Sequence, residues 1–243
     1  MLREALGGFA TFLGYYVAMV VVLLALRSLV GLPGELFRKA LHIGVAGSTL
    51  VLLHAFETWY AAALVPLAFG VLAYFVIGWA ERFPRAMRAL RERRSGEVRA
   101  SLALVFLTMA ALVALGWGWL GAGSRYAVAV AMLAWGFGDS AAAIVGKRWG
   151  HRRLRHAWVD GHKTVEGTIA MFAFAAAAAF VALVAYTPWP WYLCLVVALS
   201  VALAAAGTEL VSHWGTDTVT VPVATFACLL AIVGALSTAG VVR

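Results

Sequence analysis

Residues 126–145 read YAVAVAMLAWGFGDSAAAIV, a run of membrane length in which the one charged side chain is Asp139. A bilayer core about 30 Å thick is crossed by roughly 20 apolar residues in a helix, so the run predicts a transmembrane span. A charge at such depth costs roughly 2.5–3.5 kcal/mol, so something must compensate Asp139. The stretch therefore gives a fold class and a candidate functional residue together.

Working outward, the same test marks eight spans: Phe9–Val30, Ala40–Ala55, Trp59–Trp79, Ala100–Leu120, Tyr126–Val145, Val165–Tyr186, Trp191–Val211 and Val219–Gly240. The expected fold is an all-α, polytopic helical bundle. At 64% hydrophobic and 12% charged, with mean hydropathy +0.91, the 243 residues lie outside the composition of a soluble domain, and the short connections leave no room for one. Arg3 and Glu4 precede a long apolar run without a small-residue cleavage pattern, which reads as a retained first span. Cys194 and Cys228 sit inside apolar runs without metal-type spacing and read as packing residues.

If successive loops alternate sides, one side receives Arg27, Arg38 and Lys39, the seven arginines from Arg82 to Arg99, and Lys147, Arg148, Arg152, Arg153, Arg155 and Lys163. Arg3, Arg125 and Arg243 fall on the other side. The positive-inside rule then assigns the basic loops to the cytoplasm and both termini to the outside. The net charge of +8 lies beside membrane helices and is not interleaved with exposed aromatics, which points to anionic membrane lipids and not to nucleic acid.

Three further acids accompany Asp139 toward that side: Glu166 near the start of the sixth span, Glu209 near the end of the seventh, and Asp217 just beyond. Helical spacing puts Ala142, Ala143 and Gly146 on the face of Asp139, Ala170 and Ala173 on that of Glu166, and Ala202, Ala205 and Ala206 on that of Glu209. Small faces let helices approach closely, which would gather the carboxylates around one polar cavity at one membrane depth. Two readings follow: structural ion pairs with Lys147 and Lys163, or capture of a hard cation such as Mg²⁺ that bridges a polyphosphate.

The segment Asp160-Gly161-His162-Lys163-Thr164-Val165-Glu166-Gly167 is a loop entering a helix, where free backbone N–H groups and the positive dipole suit a phosphate. P-loop, dinucleotide-binding and soluble-kinase signatures are absent, and the histidines show no His-Glu-x-x-His zinc pattern. His42 follows Arg38 and Lys39 by one turn, just inside the expected membrane boundary, where a snorkelling or hydrogen-bonding role is the plain reading.

From Trp135 to Phe172 the chain resembles the CTP-dependent lipid kinases that include dolichol kinase and phytol kinase, distantly similar to phosphatidate cytidylyltransferase. Residues 138–150, GDSAAAIVGKRWG, match the family's Gly-Asp-x-x-Ala-x-x-Val-Gly-Lys-Arg-x-Gly, and Lys163-Thr164-Val165-Glu166-Gly167-Thr168 matches its Lys-Ser/Thr-x-Glu-Gly-Ser/Thr. Arg38-Lys39-Ala40-Leu41-His42 resembles an early Arg-Lys-x-x-His element. Glu209 and Gly215-Thr216-Asp217-Thr218-Val219-Thr220-Val221-Pro222 resemble the late Glu and Gly-x-Asp-Asn-x-x-x-Pro element, with Thr218 where the family usually has asparagine. The Gly-His-Gly-Gly and Asp-Arg elements of the cytidylyltransferases have no counterpart between Glu209 and Arg243, which favours the kinase branch.

By length and charge distribution, residues 1–243 are expected to form a single transmembrane catalytic domain in the cell membrane, its active site facing the cytoplasm. The resemblance implies transfer of the γ-phosphoryl group of CTP to a long-chain lipid alcohol such as phytol, a polyprenol or dolichol. Asp139, Glu166 and Asp217 would meet Mg²⁺ or its water shell. Lys147, Arg148 and Lys163, with Thr164, Arg38 and Lys39, would contact the nucleotide, and Glu209 or His42 would orient the alcohol or accept its proton. Nucleotidyl transfer to a phosphorylated lipid, and cation- or proton-coupled transport through Asp139 and Glu209, are the competing expectations.

Overall fold

A computed structural model describes residues 2–82, 97–154, 156, 159, 163–213 and 215–242. Arg85, Arg88, Arg91, Arg93 and Arg94 of the basic run, Arg155, Asp160, Gly161 and His162 of the loop, and Arg243 lie outside the described residues. In lipid every backbone polar group must be satisfied within the chain, which a helix achieves locally. The described chain accordingly folds as α1 (Leu2–Val30), α2 (Gly34–Ala55), α3 (Trp59–Ala80), α4 (Glu97–Val113, continued by a π-helical stretch Ala114–Trp119), α5 (Tyr126–Trp149), α6 (Val165–Tyr186), α7 (Trp191–Val211) and α8 (Asp217–Thr238). Among the described residues, eight helices are long and apolar enough to cross a membrane, which makes this an all-helical, multi-pass membrane protein.

Several helices outrun the apolar runs that announced them. The second span begins at Gly34 and not Ala40, which puts Arg38 and Lys39 on the helix. The fifth continues to Trp149, so Lys147 and Arg148 occupy its last turn, and the eighth starts at Asp217. The ends follow the backbone dipole, which favours cations at a C-terminus and anions at an N-terminus. Gly31 (φ +67°) closes α1 by donating to Arg27 O, in a backbone region that glycine enters freely.

The chain divides into two compact units, residues 1–122 and 123–243. In the first, Phe12, Tyr16, Phe69 and Phe106 join α1, α3 and α4 in an aromatic cluster with ring centroids 4.7–6.4 Å apart. Its polar groups serve the helices themselves. The Tyr16 hydroxyl lies 2.9 Å from Ser48 Oγ, and Glu4 Oε1 accepts from the backbone N–H groups of Glu57 and Thr58 at the start of α3. Arg99 pairs with Glu81 at 2.9 Å.

In the second unit α5 runs antiparallel along α6, and close approach is set by small residues. A Cβ on Gly138 would lie 2.6 Å from Met171 Sδ and 3.2 Å from Ala175 Cβ, and one on Gly167 would lie 3.1 Å from Ala142 O and 3.4 Å from Gly146 Cα. The helix α7 packs against α6, and α8 against both α7 and α5.

Candidate active site

The α5–α6 register decides which expected residues meet. Ala142 and Gly146 face α6, as the stripe through Asp139 requires, and Ala202, Ala205 and Ala206 on the Glu209 face of α7 are all buried. On α6 the stripe against α5 is instead Gly167, Met171 and Ala175; of the Glu166 face, Ala170 is buried and Ala173 is exposed. Glu166 therefore stands beside the stripe and not on it. Since Gly146 meets Gly167 while Gly138 meets Ala175, Asp139 lies about 12 Å deeper along the helix pair than Glu166. The expected single depth for the acids gives way to two levels, because helical rise separates residues that an antiparallel pairing puts on opposite ends.

At the outer level, α5 ends, α6 and α8 begin, and α7 ends. Gly150 N–H donates to Gly146 O, and the chain returns toward α6 through a short antiparallel bridge between Arg153 and Thr164. Leu154 N–H bonds Lys163 O and Val165 N–H bonds Arg152 O, both at 2.9 Å. Thr164, buried, is the N-cap of α6, its Oγ1 accepting from Gly167 N–H at 3.1 Å. Its side chain thus holds the loop shape.

Three of the N–H groups expected to be free at this helix start are engaged: Val165 N–H goes to Arg152 O, Gly167 N–H to the cap and Thr168 N–H to Thr164 O, while the Glu166 carboxylate accepts from the backbone N–H of Arg152. A carboxylate sits where the sequence suggested a phosphate, stabilised by the same dipole. A phosphate brought here would face this negative charge unless a cation stood between them. Nothing in the local sequence announced the Arg152 contact, since it depends on the path of the returning loop.

Positive charge at this level comes from side chains. Lys147 and Arg148 are exposed in the last turn of α5, with the Arg148 guanidinium 5.2 Å from the Trp149 ring centre. Lys163 Nζ lies 2.8 Å from Glu209 Oε1 and also donates to the Glu209 backbone carbonyl. Ser212 Oγ lies 2.7 Å from Thr220 Oγ1, linking the end of α7 to the start of α8, where Asp217 stands in the first turn. This last link escaped the sequence reading.

Asp139 is buried, 9% exposed, beside buried Ser140. Among the described residues no three His, Cys, Asp or Glu side chains converge on a point where they could hold a metal ion. Mg²⁺ that arrives on a polyphosphate keeps waters and needs only one or two carboxylates, a demand that Asp139, Glu166 or Asp217 singly fits. Their two levels mean that Asp139 and Glu166 do not share one ion. In the first unit, Arg38 pairs with Glu35 at 2.7 Å, Lys39 is buried, and His42 is half-buried on the same helix.

Over 219 residues, 90% of this chain and 87% of the relative, the sequence is 32% identical to a phytol kinase of Synechocystis sp.. The chain belongs to the phytol kinase family. No protein-family profile matches the chain and no solved structure does. As a member of a lipid kinase family it is a phosphotransferase, and the charged end of α5, α6, α7 and α8 is its candidate active site.

Proposed function

We propose that the protein phosphorylates a membrane-resident long-chain alcohol, phytol or a related prenol, using CTP as donor. The similarity to a phytol kinase along nearly the whole chain carries this reading. The gathering of Lys147, Arg148 and Lys163 at one helical end supports it, because phosphoryl transfer asks mainly for positioning and charge neutralisation. CTP is preferred on the family resemblance.

In the reaction the alcohol oxygen bonds to the γ-phosphorus, the bond from that phosphorus to the β,γ-bridging oxygen breaks, and CDP leaves. The alcohol proton passes to a base, for which Glu209 and His42 are the nominees. Lys147, Arg148 and Lys163 bind the triphosphate. Mg²⁺ would neutralise phosphate charge, held with its water shell either by Glu166 or Asp217 near the loop or by Asp139 deeper in the helix pair, since the two levels do not share one ion. Thr164 acts by shaping the loop, while Arg38 and Lys39 are proposed as further nucleotide contacts on the resemblance alone. We place this end in the cytoplasm, both termini outside and residues 1–243 in one catalytic domain, on the distribution of basic residues and the short connections.

The test is incubation of purified protein in detergent with Mg²⁺, lipid alcohols, phosphatidate and either γ-labelled or α-labelled CTP. Label from the γ position in an alkyl monophosphate is the expected result. Label from the α position alone would replace kinase by nucleotidyl transfer, and no labelled lipid from CTP, ATP or GTP would overturn the reading.

A further inference from the structure

Lys163 and Glu209 are 46 positions apart and meet where α6 begins and α7 ends. An ammonium carries three N–H donors. Among the described residues Glu209 receives two of them, one on Oε1 at 2.8 Å and one on its own backbone carbonyl. That carbonyl lies in the last turn of α7, where the helix dipole favours a cation, and it also accepts from Ser212 N–H at 3.2 Å. The two side chains are only 17% and 13% exposed, so solvent screens this pair less than a surface pair.

The backbone on the Lys163 side is equally fixed. Lys163 O accepts from Leu154 N–H, and the next residue, Thr164, caps α6. An ammonium held from both sides points its remaining donor in one direction. We propose that Glu209 is the positioning residue for Lys163, and not the base that takes the alcohol's proton: it orients one ammonium donor toward a nucleotide phosphate and ties the start of α6 to the end of α7. The inference rests on the reading of Lys163 as a phosphate ligand.

The roles separate in Glu209→Gln, which keeps size and a carbonyl acceptor but removes the charge. A positioning role predicts a KM for the nucleotide raised about tenfold, as expected for loss of one charge-assisted hydrogen bond, with kcat changed less than about threefold. It also predicts partial recovery of KM in Glu209→Asp and an unchanged pH profile of kcat. A base would instead cost kcat on the order of 10²–10⁴-fold, leave KM in place and remove a limb of the profile. That result would overturn the proposal.

A second readout needs no catalysis. Brief treatment with an amine-acylating reagent, followed by peptide mass spectrometry, measures how accessible Lys163 is in the folded protein. Faster acylation in Glu209→Gln than in the wild type, with Lys147 unchanged as reference, is expected; equal rates at Lys163 would overturn the proposal. Absence of phosphoryl transfer in the wild type would count against the kinase reading, while the acylation rates still decide whether Glu209 positions the lysine.

Discussion

The two units of the chain solve the same problem, packing helices in lipid, with different emphasis, although glycines such as Gly44 and Gly70 also meet side chains closely in the first. Residues 1–122 use bulk: Phe12, Tyr16, Phe69 and Phe106 fill the space among α1, α3 and α4, and Glu4 and Ser48 complete backbone or hydroxyl bonds between helices. Residues 123–243 use smallness: Gly138, Ala142, Gly146 and Gly167 bring α5 and α6 into backbone contact. Lipid is as apolar as a leucine side chain, so association rests on van der Waals fit and hydrogen bonds in either case. Close backbones, however, leave the helix ends near one another, and only there do Lys147, Arg148, Lys163, Glu166 and Glu209 collect. Aromatic packing makes a stable scaffold; glycine packing makes room for a site.

The sharpest way to break this contrast is to remove charge from the second unit. Lys163→Ala should lower kcat/KM on the order of 10²-fold, mainly through KM, more than the tenfold expected when Glu209→Gln only disturbs the position of its ammonium. Asp139→Asn should lower it comparably, with folded protein recovered in both cases by size-exclusion chromatography. Activity within a few-fold of wild type in both variants would remove these residues from the site.

Packing variants should separate the units by sign. In the second, enlargement should hurt: Gly146→Val places atoms where a Cβ already lies 3.0 Å from Thr164 Oγ1, and the cost should be about 1–3 kcal/mol of stability. In the first, truncation should hurt: Phe106→Ala, next to Phe12, Tyr16 and Phe69, should lower Tm in detergent. Its cost should stay below the ~3–5 kcal/mol of a water-soluble core, because lipid or detergent replaces part of the lost contact. An unchanged Tm in Phe106→Ala, or in Gly146→Val, would remove that position from the packing of its unit.

How much of this was readable beforehand depends on the range of the interaction. The eight spans were legible because each needs only a local run of apolar residues, and the Gly138–Gly150 segment because its small residues and charges are contiguous. The helix starts at Gly34 and Asp217 were missed because apolar runs stop at a charge, whereas backbone hydrogen bonding carries the helix past it, helped at Asp217 by the dipole. The Lys163–Glu209 pair and the loop contact from Arg152 to Glu166 span 46 and 14 positions and depend on how the chain returns. The two levels of Asp139 and Glu166 follow from the α5–α6 register, which no single helix displays.

The smallest effect belongs to the exposed ion pair of the first unit, whose charged atoms lie as close as those of the Lys163 pair. Arg38 and Glu35 lie one turn apart on α2, 2.7 Å between charged atoms, with side chains 41% and 33% exposed. Water screens both partners, and a helical pair of this spacing is worth about 0.3–0.5 kcal/mol. Glu35→Gln should therefore leave Tm within about a degree of wild type, since that energy is a small fraction of total stability. If Arg38 also contacts the nucleotide, losing Glu35 frees its guanidinium, and KM should stay level or fall while Arg38→Ala raises it. A rise in KM in Glu35→Gln as large as that in Glu209→Gln would mean that the two pairs act alike, and the division between a scaffold built on bulk and a site built on close packing would have to be redrawn.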